Sequence, residues 1–105
     1  MSSLSTHVLD AVHGAPATGV TVTLFDWSGA ELASAVTDAD GRVGDLAEIA
    51  PGDYRLRFDT GTWFTAQGVD AFYPEVSIAF SVTGERHYHV PLLLSPFAFS
   101  TYRGS

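Results

Sequence analysis

The segment HYHVPLLLSPFAFSTYRGS, His87 to Ser105, mixes features that do not usually share a strand. Tyr88 to Leu94 is apolar and the right length for a β-strand. It contains Pro91, which has no N–H to give a ladder and is expected at an edge or a bulge. Leu92, Leu93 and Leu94 run without polar alternation, so both faces of that strand are expected to be covered. A small sandwich offers one inner face per sheet. The second cover is therefore expected from another subunit, and exposed strand edges invite the same pairing. Phe97 to Tyr102 reads as a last strand. The final STYRGS, Ser100 to Ser105, brings together a phenol, a guanidinium, a glycine and hydroxyls, more chemistry than a fraying terminus needs.

Upstream of this segment, strands recur. Val20, Val22 and Leu24 alternate with Thr21, Thr23 and Phe25. Tyr54, Leu56 and Phe58 alternate with Arg55, Arg57 and Asp59. Val76, Ile78, Phe80 and Val82 alternate with Ser77, Ala79 and Ser81. His7 to Val12 reads as a first strand and Leu32 to Thr37 as a weaker one. Turn signals separate them at Ser28-Gly29, Asp40-Gly41, Pro51-Gly52-Asp53 and Thr83-Gly84. The window Thr62 to Gly68 is the one plausible helix, with Thr62 as cap and Gly68 as stop. About eight short strands with one short helix predict an all-β, two-sheet sandwich. No internal repeat, linker or low-complexity segment interrupts it, and residues 1–105 read as a single domain.

Composition narrows the function. Apolar residues make up 46% and charged residues 16%, as in a globular chain. The formal net charge of −7 opposes nucleic-acid binding and adhesion to anionic membranes. No stretch approaches a membrane span and the N-terminus does not read as a secretory signal. With no cysteine, stability is expected from the core, a partner subunit or both, and the cytoplasm is the expected compartment. Lysine is absent, so every side-chain cation is an arginine (42, 55, 57, 86 or 103) unless a histidine is protonated.

Candidates for chemistry are therefore few. There is no P-loop, no GxGxxG, no GxSxG elbow and no Cys/His metal pattern. His87 and His89 are two apart and share a strand face. Such a pair serves as half of a zinc site with His7 as a third ligand, as metal-free catalytic machinery, or as imidazoles with local hydrogen bonds. Residue spacing leaves the three open. His13, before Gly14, reads as a loop residue without a role. Asp38-Ala39-Asp40-Gly41 opens like a calcium loop, but the twelfth position is Ile49, so an EF-hand is rejected. The stretch reads as a turn with Gly41 at positive φ, followed by Arg42, either solvated or aimed into a pocket.

Three motifs in order, STHVLDAVHGAPA (Ser5–Ala17), TDADGRV (Thr37–Val43) and the His87–Ser105 segment, resemble the transthyretin-related family in its 5-hydroxyisourate hydrolase branch. GDYRLRFDTGTWF and FYPEVSIAF also resemble it, so the likeness covers nearly the whole chain. The resemblance implies a transthyretin-like sandwich and a homotetramer with sites at subunit interfaces around a central channel. It implies hydrolysis of 5-hydroxyisourate to 2-oxo-4-hydroxy-4-carboxy-5-ureidoimidazoline in urate degradation, with no metal or organic cofactor. It places the catalytic residues at His7, Arg42 and His89. Substrate binding is expected from His7, Arg42 and the tail Tyr102, Arg103, Gly104 and Ser105, which is expected to belong to the site. His87 fits the pattern but receives no role, and which histidine is the base stays open. The rival expectation is a non-catalytic carrier of small aromatic ligands in the same fold.

Overall fold

The computed structural model describes Met1–Ser105. One sheet is built on β1 (Ser2–Asp10), β2 (Ala15–Pro16), β5 (Arg42–Ile49), β8 (His87–Ser95) and β9 (Ala98–Thr101). The other runs β4 (Glu31–Val36), β3 (Thr21–Asp26), β6 (Gly52–Phe58) and β7 (Val76–Val82). α1 (Thr60–Thr65) links β6 to β7. No helix is long and apolar enough to cross a membrane. The expected two-sheet sandwich of strands with one short helix is therefore observed.

Alternation drives the assembly. Leu4 and Val8 of β1, with Tyr88, Val90, Leu92 and Leu94 of β8, turn inward. They meet Val22, Leu24, Leu56, Phe58 and Val76 of the opposite sheet in one core cluster. Each fully buried Leu or Val side chain contributes about 1.5–3 kcal/mol relative to exposure. The residues between them on β1 and β8 turn away from the core. They are Ser3, Ser5, His7 and Leu9 on β1, and His87, His89, Pro91 and Leu93 on β8.

Several expectations need correction. Pro91 lies in β8, which is central: β1 pairs on one side in parallel and β9 on the other. The proline is tolerated because the β8–β9 ladder stops at Leu92–Thr101 and resumes at His89–Gly104, sparing a bond at Pro91. The Thr101 hydroxyl instead donates to the Pro91 carbonyl at 2.8 Å. β1 begins at Ser2, not His7, and β5 is a strand the alternation did not reveal. Thr62 lies inside α1 and caps nothing; the helix starts after Asp59 with no side-chain cap. Leu92 and Leu94 are core, whereas Leu93 on the other face is only half-buried.

Candidate active site

β1 organises the site. Along its first half it pairs with β5, where His7 faces Arg42, and on its other edge with β8, where Ser3 faces His87 and Ser5 faces His89. The β1–β5 ladder is irregular. Leu4 pairs with Ala47 and Thr6 with Val43, so Gly44 to Leu46 bulge away opposite Ser5. That bulge opens a cavity of about 300 Å³ lined by Ser5, Thr6, Arg42, Gly44, His87, His89 and Ser105, with no apolar residue among them.

Arg42 is delivered by the turn before it. The Asp38 carboxylate accepts the backbone N–H groups of Asp40 and Arg42, each at 2.9 Å. The Arg42 bond is the main reason the Asp38 pKa lies below the ordinary carboxylate value. Gly41 has φ 74°, and its N–H donates to the Asp38 carbonyl at 2.9 Å. A β-carbon there would collide with the Val8 carbonyl oxygen. The glycine expected at positive φ is thus also a wedge against β1.

His89 is held on two edges. Its Nδ1 meets the Ser5 hydroxyl at 2.7 Å. Its Cδ2 edge faces Gly104, where a β-carbon would lie 2.5 Å from that atom. The Gly104 N–H donates to the His89 carbonyl at 2.8 Å. Only the Nε2–Cε1 tip remains free. Burial, then the positive Arg42, then the neighbouring His7 and His87 when charged, push the His89 pKa below the usual 6.5. A neutral imidazole with one free nitrogen beside a guanidinium is suited to taking a proton from water.

His7 lies across the ladder from Arg42 and does not line the cavity. Its Nε2 meets the Asp40 carbonyl at 2.8 Å. A carbonyl only accepts, so Nε2 carries the proton and the neutral ring keeps its lone pair on Nδ1. Ser105 lines the cavity and Gly104 braces it. Tyr102 and Arg103 line a second cavity of about 290 Å³ with Ile78, Phe80, Tyr88, His89 and Val90, so His89 borders both cavities. There the Arg103 guanidinium sits 4.8 Å from the centre of the Tyr88 ring. The Tyr88 hydroxyl accepts N–H bonds from Thr83, Gly84 and Glu85 at 2.9–3.2 Å. Hydrogen bonds from the Thr83 side chain and from these backbone groups push its pKa down to about 8.

The His-x-His pair is occupied otherwise than by a metal site's geometry. His87 Nε2 and His89 Nδ1 share the Ser5 hydroxyl at 2.8 and 2.7 Å. No group of three or more His, Cys, Asp or Glu side chains is gathered to hold an ion. His13 is exposed and bonds Asp10 locally at 2.7 Å. The residues missed from the sequence are Ser3, Ser5, Thr6 and Gly44. Extending the period of two back from His7 through Ser5 and Ser3 would have found the two serines.

The fold and cavity define a β-sandwich with an imidazole–guanidinium site on the outer face of one sheet. The chain belongs to the HIUase/Transthyretin family, whose profile matches residues 4–104. It is 46% identical to 5-hydroxyisourate hydrolase of Salmonella typhimurium, over 97% of this chain and 80% of that protein. The solved 5-hydroxyisourate hydrolase of Klebsiella pneumoniae superposes with TM-score 0.93 at 43% identity, covering 100% of this chain and 94% of the other. Sea bream transthyretin in complex with thyroxine superposes with TM-score 0.90 at 35% identity, covering 97% and 94%.

Proposed function

We propose that this protein hydrolyses 5-hydroxyisourate to 2-oxo-4-hydroxy-4-carboxy-5-ureidoimidazoline, a step of urate degradation. The observation that carries the reading is His89, with one free edge beside Arg42 and its pKa lowered, in a cavity lined by no hydrophobic residue. The substrate is a small, planar, polar heterocycle. Opening its cyclic amide requires an activated water and a positive group at the developing oxyanion. His89 takes the proton from water. Arg42 binds the substrate through its rigid donor fork and stabilises the negative charge. His7, beside Arg42, holds the substrate or water from the neighbouring position. Gly104 and Ser105 form the wall, while Tyr102 and Arg103 anchor the tail in the neighbouring cavity. The chemistry needs no metal or organic cofactor.

The absence of any apolar side chain in the cavity speaks against the carrier reading, because an aromatic ligand gains most from apolar walls. The assay is the ultraviolet decay of freshly made 5-hydroxyisourate. Faster decay with protein than without supports catalysis; binding without faster decay supports a carrier.

The same reading includes a homotetramer with the site completed at a subunit interface, in the cytoplasm. Its support is the exposed edge strand β9 and the turn before it, with Phe97 68% and Phe99 39% exposed, and the half-buried Leu93. These two phenylalanines are available to another subunit. Light scattering is expected to give about four chain masses, the common closed arrangement for such assemblies being dihedral. A monomer at micromolar concentration contradicts it.

A further inference from the structure

Four side chains form a continuous hydrogen-bonded chain across the β1–β8 ladder. His89 Nδ1 meets the Ser5 hydroxyl at 2.7 Å, and that hydroxyl meets His87 Nε2 at 2.8 Å. His87 Nδ1 meets the Ser3 hydroxyl at 2.6 Å, which has the Arg86 carbonyl at 3.4 Å. His87 borders the inner cavity and also an outer one of about 440 Å³, lined by Ser3, Glu48 and Arg86. His89 is partly buried beside Arg42, whereas His87 is exposed.

We propose that Ser5 and His87 act through His89 as a proton store, holding the proton of the attacking water on His87 while the tetrahedral intermediate exists. The proposal rests on the hydrolytic reading above. A hydroxyl can accept from one ring nitrogen and donate to another, so the chain can run in either direction. In the resting direction His89 Nδ1–H donates to Ser5, Ser5 donates to His87 Nε2, and His87 Nδ1–H donates to Ser3. The Ser3 hydroxyl then has the Arg86 carbonyl, which only accepts. This direction leaves the lone pair on His89 Nε2, at the free tip.

The proton balance closes. As the water oxygen bonds to the carbonyl carbon, its proton goes to His89 Nε2. The His89 Nδ1 proton passes to the Ser5 oxygen, and the Ser5 proton passes to His87 Nε2. The positive charge then sits on His87, with both N–H groups bonded and Glu48 and water nearby, rather than beside Arg42. When the C–N bond breaks, the same path runs backwards. His87 Nε2 returns its proton through Ser5, and the proton on His89 Nε2 goes to the departing nitrogen. The product acid then ionises to solvent. Each turnover leaves the chain in its starting direction.

The test combines kinetics with a measurement that needs no substrate. Ser5→Ala breaks the chain, and His87→Gln keeps a hydrogen-bonding group that cannot store a proton. Each is expected to lower kcat about 10–100-fold, at or below the usual range for general acid–base catalysis, with KM little changed. The double variant is expected to lose no more than either single one. The wild type is expected to give a curved dependence of kcat on deuterium content, from several protons in flight, and both variants a straight one. Circular dichroism controls for folding. Nitrogen-15 NMR of histidine-labelled wild type is expected to show His89 protonated at Nδ1. An Nε2–H tautomer for His89, unchanged kcat in both variants, or the same curvature throughout overturns the proposal. If the wild type leaves 5-hydroxyisourate untouched, the functional reading fails by itself, and the tautomer measurement still decides whether the chain is built as described.

Discussion

The outer faces of the two sheets both carry arginines and use them in opposite ways. On the β3–β6 face, the Arg55 guanidinium lies 3.9 Å from the centre of the Trp27 ring. Arg57 lies 4.8 Å from that of Phe25, with Asp59 at 3.6 Å. On the β1–β5–β8 face, Arg42 has neither a ring beneath it nor a carboxylate within 4 Å. It faces hydroxyls and imidazoles. A guanidinium committed to a ring or an acid stiffens a surface; one left uncommitted in a polar cavity remains available to a substrate. The difference arises from neighbours. β3 and the turn after it supply Phe25 and Trp27 beside β6, while β1 supplies Ser3, Ser5 and His7 beside β5 and β8.

The largest expected contrast comes from removing one cation on each face. Arg42→Met and His89→Asn are expected to lower kcat/KM by about 10²–10⁴-fold, as loss of an oxyanion donor or general base does. Arg55→Met is expected to leave kcat/KM at the wild-type value and to cost about 0.5–1 kcal/mol of stability for an exposed cation–π pair. Comparable activity losses on both faces would erase the distinction. Next come the two glycines that shape the polar face. Gly104→Ala pushes on the His89 ring, and a misplacement on the order of 1 Å is expected to cost about 10²-fold in activity. Gly41→Ala combines positive φ with a backbone collision and is expected to cost about 1–3 kcal/mol or more in denaturant unfolding.

A smaller, continuous test is pH. A base works in its neutral form, and the His89 pKa is lowered from 6.5. Activity is therefore expected to persist as pH falls past 6.5 and to be lost only as pH drops through the depressed value. An acid limb of kcat/KM centred above 6.5 would contradict the environment described for His89. No change at all is expected from chelation with EDTA or from His13→Ala, whose imidazole is exposed and bonded only to Asp10. Activity lost to EDTA and restored by zinc would reinstate the metal reading of His87 and His89.

The sequence made one part of this contrast visible and hid another. The β6 and β7 strands were legible because each alternates against one core face, and β3 because its apolar residues keep the period of two although Thr23 on its other face is also buried. β5 was not: Gly44 and Asp45 are both exposed and adjacent, since the strand bulges away from β1 there. That broken period is the local cost of opening the cavity. Arg42 and His89 were visible as residue types, and the family resemblance supplied their roles. Ser5, the serine that bonds His89, was not, although it lies two residues before His7 on the same strand face and becomes legible once that period is carried back toward Ser3. Pro91 misled for a related reason. A proline forbids a bond only where a neighbour asks for one, and the β9 ladder does not ask there.

The most direct measurement follows the ultraviolet absorbance of fresh 5-hydroxyisourate with wild type, Arg42→Met and His89→Asn side by side, each checked for folding. Rapid decay with wild type, and decay near the uncatalysed rate with either variant, is the predicted result. Decay no faster with wild type than in buffer, or equally fast with all three proteins, would contradict a catalytic site built on these two residues.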